Sequence, residues 1–473
     1  MKKFFWENLN QFENNTALTE ISSGKSLSYF ELDKITDDIA ERLITKNKKL
    51  IFLFTANDIQ SVVAYVSVLK SGDSVLLLDK KINDEIRTNL ISLYKPHLII
   101  NLNEPVEGYT QVENGTELNF LKRITENETI IHPSLKILLS TSGTTGSPKL
   151  VRLSADNIQS NAEAIAQYLE IDSEEKPITT LPFNYSYGLS VINSHLLKGA
   201  NIFLTDKTVF FKDFWNDFKN HKCTSFAGVP YTYQMLKRIG FDKLELPTLK
   251  TMTQAGGKLN EEMIKFFADY ASKNNVKFFV MYGQTEATAR ISYVPHNKLQ
   301  EKIGSIGIAI PGGKISLYFD GLEIKEPNTV GEIVYEGENV MLGYAEALTD
   351  LSKGDELAGK LFTGDLGYKD EDGYFYLTGR MKRFIKMFGL RINLDEVQKM
   401  IENTFNIASA CTGEDEKLRI LIQASENFEA NVKQKVCELY KLNPSTVSIK
   451  SADEIPTKST GKYDYEKINE LFR

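Results

Sequence analysis

Short, mostly apolar runs spaced between helical patterns constrain this chain more than any other feature. LIFLF (50–54), SVLLLD (74–79), HLIIN (97–101), KILLS (136–140), NIFLT (201–205), CTSFAG (223–228) and VKFFVMY (276–282) show no helical period. A strand with one wet face alternates apolar and polar residues, whereas a strand apolar throughout is covered on both faces. Between the first two runs, NDIQSVVAYVSVLKSG (57–72) sets Ile59, Val62, Val63, Val66 and Leu69 on one helical face and stops at Gly72. Strand, helix and strand in that order form the unit of a parallel α/β layer. A further helix is expected over Ala155–Leu169, capped by Ser154.

The pattern changes after about Gly304. KISLYFDGLEI, VGEIVYEG and GYFYLTGR are short runs separated by Asp-Gly, Asn-Thr and Glu-Gly turns, which predicts a strand-rich, partly antiparallel section. From about Arg383 the reading is strand, helix (Asn393 or Leu394 to Phe405), strand (LRILIQAS), helix (432–440) and strand, a small α+β domain. The expected fold class is therefore α/β: a large N-terminal multi-sheet α/β domain with a strand-rich subdomain, followed by a small α+β C-terminal domain.

At 473 residues there is chain for one large body and a smaller one, and 42% hydrophobic with 25% charged residues is globular composition. The balance of 56 Lys and Arg against 63 Asp and Glu leaves no basic surface for non-specific nucleic-acid binding. Cys223, Cys411 and Cys437 are too few and too scattered for a disulfide framework or a zinc ribbon, and fit a reducing, cytoplasmic setting. The amino end turns polar by Glu7, and no run of apolar residues is long enough for a transmembrane segment.

Four segments carry chemistry. In LLSTSGTTGSPKLV (138–151) a buried strand runs into five hydroxyls, on Thr141, Ser142, Thr144, Thr145 and Ser147. Gly143 and Gly146 let the backbone N–H groups approach a ligand, and Lys149 adds a cation, so the loop suits phosphate oxygens. Its glycine spacing is not that of the GxxxxGK[ST] loop of ordinary NTPases. MYGQTEATAR (281–290) follows a buried run with an aromatic, Gly283, Gln284, Thr285 and Glu286. Glu286 is a candidate Mg²⁺ ligand, because that ion takes one or two carboxylates and completes its shell with phosphate oxygens. In LFTGDLGYKDEDGYFYLTGRMKRFIKMFGLRI (361–392), Asp365 stands in a Gly-rich turn and suits a pair of sugar hydroxyls, and Arg380 ends a strand. PTKSTGKYDYEKI (456–468) holds Lys462 in a Ser-Thr-Gly context.

These four segments, in this order, resemble the adenylate-forming superfamily of acyl-CoA synthetases, peptide-synthetase adenylation domains and firefly luciferase. LSYFELDKITDDIAERL (27–43), LKSGDSVLLLD (69–79), LPFNYSYGL (181–189), MTQAGGKL (252–259), GSIGIAIPG (304–312) and GEIVYEGENVMLGY (331–344) also fit, so the resemblance covers nearly the whole chain. It implies a two-step reaction in which a carboxylate attacks the α-phosphate of ATP, giving acyl-AMP and pyrophosphate. A thiol, of CoA or of a carrier protein's phosphopantetheine, then takes the acyl group and releases AMP.

Carried over by position, Thr141–Lys149 would hold the β- and γ-phosphates, and Glu286 with Thr141 would serve Mg²⁺. Tyr282 would lie along the adenine beside Gly256 and Gly257, with Gly283, Gln284 and Thr285 next to it. Asp365 would bind the ribose hydroxyls, Arg380 would reach the ribose or phosphates, and Lys462 would bridge the carboxylate and the α-phosphate. Lys382 falls at the family's hinge, which divides the chain into domains 1–381 and 382–473 and makes the second one mobile. Lys386 matches a lysine that faces the site after rotation.

The acid is less defined. Amino-acid-activating relatives hold an Asp where this chain has Ser186, and no carboxylate occurs at Asn184, Tyr185, Ser186 or Tyr187. An α-ammonium would then lack its partner, which is costly in a closed pocket. Tyr185, Tyr187, Tyr231 and Ala255 are the candidate walls of the acyl pocket. Rival readings are a stand-alone amino-acid or hydroxy-acid adenylating enzyme loading a carrier protein in trans, an amide-forming ligase, and a catalytically silent acyl-adenylate-binding protein.

Overall fold

A computed structural model of the chain describes residues 3–113, 115–125, 129–140, 149–380, 384–388, 390–456 and 463–472, with the backbone alone for residues 379, 380, 384, 391, 393, 395 and 466. The chain forms two compact units. One comprises Met1–Lys81, Ile91–Ser140 and Leu150–Gly379; the other is built mainly from Arg380–Arg473.

The first unit is α/β, and its described residues form two large sheets of eight and fourteen strands. In the smaller sheet Leu50–Thr55 pairs in parallel with both Ser74–Asp79 and Leu98–Ile100, and Ser74–Asp79 pairs in parallel with Leu135–Ser140. The helix Ile59–Ser71 makes the crossover between the first two strands, starting on the Asp58 carboxylate and ending at Gly72 with φ 87°. Leu50–Phe54 are fully buried, as an uninterrupted apolar strand requires. The strands Tyr109–Val112 and Phe120–Arg123 extend this sheet antiparallel. They are short, and each carries at least as many polar as apolar residues, so neither forms an apolar run.

In the larger sheet the strands Thr16–Glu20, Ile202–Leu204, Pro177–Ile178, Ser225–Gly228, Thr251–Gln254 and Lys277–Tyr282 lie side by side in parallel. Beyond Lys277–Tyr282 the pairing turns antiparallel, through Ser292–Tyr293 and Ser305–Ala309 to the strands up to Phe375–Arg380. The strand-rich section expected after Gly304 thus continues an existing sheet. Register decides what this sheet can do. Gly228, Gln254 and Val280 stand in one row, so the turns after three parallel strands leave from the same edge. Ligands of open α/β sheets bind at that carboxyl edge.

Helices cover the sheets. Ala155–Tyr168 begins with a capping box in which Ser154 accepts from the Asn157 N–H and Asn157 accepts from the Ser154 N–H. Ser186–Leu197 is buried on nearly all sides, so it lacks the amphipathic period that marks a surface helix. Arg152, 0% exposed, fixes the segment that follows Met341: it donates to the carbonyls of Tyr344 (3.1 Å), Leu342 (3.3 Å) and Gly354 (3.1 Å) and to the Glu356 carboxylate. Full burial of a guanidinium is tolerable only with this many acceptors.

The second unit holds a hairpin, Phe384–Met387 with Leu390–Asn393, and a three-stranded sheet of Ser409–Glu414, Lys417–Ile422 and Val447–Ser451. Its helices are Leu394–Phe405, Asn427–Tyr440 and Tyr465–Glu470. The helix expected over 432–440 begins five residues earlier, in a turn whose one large apolar residue, Phe428, is exposed and sets no helical period.

His195 gives the fold a pH signature. It is 5% exposed and its Nδ1–H donates to the Val191 carbonyl at 2.8 Å. Burial lowers its pKa from 6.5 to about 4. The folded chain therefore binds fewer protons than the unfolded one between those values. The stability this represents, about 3 kcal/mol, is complete above pH 6.5 and is lost as pH falls toward 4. His195→Gln should flatten that stretch of the pH–stability curve by close to one proton, measured by urea denaturation at pH 7.5, 5.5 and 4.5. An unchanged slope would contradict the assignment.

Candidate active site

Strand ends build the site. Lys277–Tyr282 delivers Tyr282 at the carboxyl edge of the larger sheet, and the chain passes through Gly283 and Gln284 into the short turn Thr285–Ala287. Asp365 arrives from a different strand, Lys360–Lys369. The two converge on one carboxylate. Asp365 is 1% exposed, and its Oδ2 accepts from the Tyr282 hydroxyl at 2.5 Å and from Gln284 Nε2 at 2.8 Å. Gln284 Nε2 also reaches the Thr363 carbonyl at 3.1 Å, and the Asp365 N–H donates to Thr363 Oγ1 at 3.1 Å. A buried carboxylate supplied with donors in this way presents fixed acceptors to a ligand's hydroxyl groups.

Gly283 is forced by contact. A Cβ there would lie 1.9 Å from the Ala289 carbonyl oxygen. Gly256 is forced by conformation: its φ is +80°, and a Cβ would lie 2.7 Å from the Tyr185 hydroxyl. Tyr185 thus lies over the Gly256–Gly257 turn, and Gln254 braces that turn from below by donating to the carbonyl of Gly257 at 2.9 Å. Thr285 Oγ1 and Ser186 Oγ stand 3.2 Å apart, joining the turn to the start of helix Ser186–Leu197.

Glu286 is half-buried and accepts from the Tyr344 hydroxyl at 2.9 Å. Its donor chemistry fits Mg²⁺, since one carboxylate beside phosphate and water oxygens is the usual protein share of that ion's shell. Among the described residues no group of three or more His, Cys, Asp or Glu could hold a metal ion by itself.

Thr288 has φ 62°, a strained value for a β-branched residue. Asn339 holds that turn in shape. Its Nδ2 donates to the carbonyls of Ala287 and Arg290, both at 2.8 Å, while Tyr335 donates to its Oδ1 at 2.7 Å and Thr288 Oγ1 donates to its carbonyl at 2.6 Å.

Tyr187 is 2% exposed, shares a 2.7 Å hydrogen bond with Thr253 Oγ1, and lines a cavity. Tyr231 is half-buried and packs edge-on against Phe210, with ring centroids 5.6 Å apart. Ala255 is buried in the cluster that contains Tyr187 and Tyr282. In the second unit Lys386 sits mid-hairpin, its N–H donating to Asp415 Oδ1 at 2.9 Å. Lys462, Lys382 and Thr141 to Gly146 lie outside the described residues, as does the side chain of Arg380; of the loop 141–149 only Lys149 is described.

Comparison with known proteins decides the family. A sequence model described as AMP-binding enzyme matches residues 5–345. The chain belongs to this family. It is an adenylate-forming ligase of the acyl-CoA synthetase kind. A 2-succinylbenzoate-CoA ligase of Staphylococcus epidermidis is 25% identical over 98% of this chain and 97% of its own length. An oxalate-CoA ligase of Arabidopsis thaliana is 26% identical over 83% of this chain and 81% of its own. The solved o-succinylbenzoate CoA synthetase of Bacillus subtilis superposes with a TM-score of 0.76 at 20% identity, covering 99% of this chain and 98% of that one, which supports the fold. No helix among the described residues is long and apolar enough to cross a membrane.

Sequence reading did not single out Tyr344, Asn339, Gln254 or Arg290. The first two lie inside a segment quoted for its resemblance, GEIVYEGENVMLGY, but only the fold brings them to the turn 285–290. Gly283→Ala should displace that turn. We expect AMP affinity to fall at least tenfold by calorimetric titration, with a lower melting temperature. Unchanged AMP binding would contradict the packing described.

Proposed function

We propose that this ligase joins a carboxylic acid other than a standard α-amino acid to CoA through an acyl-AMP intermediate. The observation that carries the reading is the buried Asp365 carboxylate, set by Tyr282 and Gln284 at the carboxyl edge of the sheet beside Thr285 and Glu286. Fixed acceptors for ribose hydroxyls next to a carboxylate for Mg²⁺ are what ATP presented for attack at its α-phosphate requires.

Two anions must meet in the first step. The acid's carboxylate oxygen bonds to the α-phosphorus, the bond from that phosphorus to the bridging oxygen breaks, and pyrophosphate leaves with the electron pair. Catalysis rests on positioning and on offsetting the negative charge that builds up. In this reading the loop 141–149 cradles the β- and γ-phosphates, Glu286 and Thr141 hold Mg²⁺, and Arg380 and Lys462 meet the charge near the α-phosphate. In the second step the thiol sulfur bonds to the acyl carbon, the carbon–oxygen bond to phosphate breaks, AMP leaves, and the thiol proton passes to solvent. The stretch 382–473 turns about Lys382 between the steps, bringing Lys386 to the site.

Exclusion of α-amino acids rests on Ser186, whose hydroxyl is 3.2 Å from Thr285 Oγ1 and offers an ammonium no charge. The named activities of the relatives, on 2-succinylbenzoate and on oxalate with CoA, support an acid and a CoA acceptor.

Pyrophosphate release with Mg-ATP and hydroxylamine, across short, long, aryl, hydroxy and amino acids, tests the reading. Acid-dependent release, absent with standard amino acids, is expected; release with amino acids alone would overturn it. Lys462→Ala should lower pyrophosphate release by about 100-fold or more while leaving thioester formation from supplied acyl-AMP within a few-fold. Equal losses in both steps would remove Lys462 from the first.

A further inference from the structure

Arg290 is 3% exposed, and among the described residues no carboxylate pairs with it. Its Nη1 reaches the Ala289 carbonyl at 3.3 Å, and its guanidinium lies 4.0 Å from the centre of the Tyr187 ring. Its Nε has no partner. A guanidinium is always charged, and removing one from water without a counter-charge is costly. The ring face of Tyr187 and a single long carbonyl contact return little of that cost.

The position of the charge gives it a use. Arg290 lines a cavity together with Tyr187, Ser190, Ser194 and Thr253. Tyr187 lies two residues past Tyr185, which covers Gly256. Thr253 precedes the turn 255–257, and Arg290 lies four residues past Glu286. The cavity thus takes in Tyr187, a candidate wall of the acyl pocket, and Thr253, one residue short of the row of Gly228, Gln254 and Val280 at the carboxyl edge. Its hydroxyls are mostly committed: Ser190 donates to the Tyr187 carbonyl at 2.7 Å, Ser194 to the Val191 carbonyl at 3.2 Å, and Thr253 shares a hydrogen bond with Tyr187. Glu175, a carboxylate on the same lining, accepts from Thr224 and forms no ion pair with Arg290. The strongest free recognition element on this wall is a buried positive charge.

We propose that Arg290 determines specificity by receiving a second carboxylate, so that the preferred substrate is a dicarboxylic acid activated at its other end. This rests on the acid-ligase reading above and names the class of acid. A monocarboxylic acid, or a half-ester of the same shape, leaves the guanidinium unpaired and binds less well.

The test separates the two readings. Succinate, glutarate, adipate, phthalate and homophthalate, each beside its monomethyl ester, are titrated calorimetrically into the full chain saturated with Mg²⁺ and α,β-methylene ATP. At least one diacid should bind roughly 10- to 100-fold more tightly than its ester. Arg290→Gln should erase that ratio and leave ester binding within about threefold, and Arg290→Lys should restore part of it. Equal binding of every diacid and its ester would overturn the proposal, as would equal losses for both ligands in Arg290→Gln, the mark of a packing role. Turnover of the same acids with ATP and CoA is scored separately. Diacid preference in binding with no pyrophosphate release would leave Arg290 assigned and count against the ligase reading, while release only with monocarboxylates would do the reverse.

Discussion

A carboxylate taken out of water must find donors, and Asp365, 1% exposed, finds them on the end of another strand. The Tyr282 hydroxyl and the Gln284 amide converge on a single oxygen. This contact joins the last strand of the parallel part of the large sheet to a strand of its antiparallel part. It sets the rotamer of Tyr282, limits where Gln284 can lie, and so fixes the path by which the chain reaches Thr285 and Glu286. Removing the carboxylate would take this acceptor from the buried Tyr282 hydroxyl and leave the Gln284 amide only its longer contacts to the Thr363 carbonyl and the Tyr282 oxygen, so the site and the sheet around it depend on the same carboxylate.

A second set of contacts keeps the next few residues in a shape they would not adopt alone. Thr288 at positive φ is held by Asn339, which spans Ala287 and Arg290 and is itself held by Tyr335. Arg152 anchors the backbone of Tyr344, whose hydroxyl meets Glu286. Strain at the turn is offset by hydrogen bonds from a distant segment, an arrangement expected where a loop must present side chains in fixed positions. One product of that turn is the burial of Arg290 against Tyr187.

Much of this was legible in the residues. The apolar runs 50–54, 74–79, 136–140 and 276–282 mark strands because burial on both faces leaves no room for polar side chains. Gly72 and Ser154 mark helix ends through backbone conformation and capping. Polar strands such as Tyr109–Val112 and the almost entirely buried helix Ser186–Leu197 carry no such period and were not readable. At the site, Tyr282, Gln284 and Asp365 could be named from motif and resemblance, but their mutual hydrogen bonds could not, because they join positions 83 residues apart. Arg290 stands in a quoted motif, yet nothing in MYGQTEATAR distinguishes a buried cation from an exposed one. Burial, and the lack of a paired carboxylate among the described residues, are properties of the folded chain.

Family membership points to one chemical event, transfer of an acid's oxygen to the α-phosphorus of ATP, and the proposed role of Asp365 is to hold the nucleotide for it. Acid labelled with ¹⁸O in its carboxylate, incubated with enzyme, Mg-ATP and CoA, tests that event most directly. One labelled oxygen is expected in the AMP released, seen by mass spectrometry, and none in the pyrophosphate. Label in inorganic phosphate with ADP as co-product, or thioester formed with both labelled oxygens absent from AMP, would contradict it.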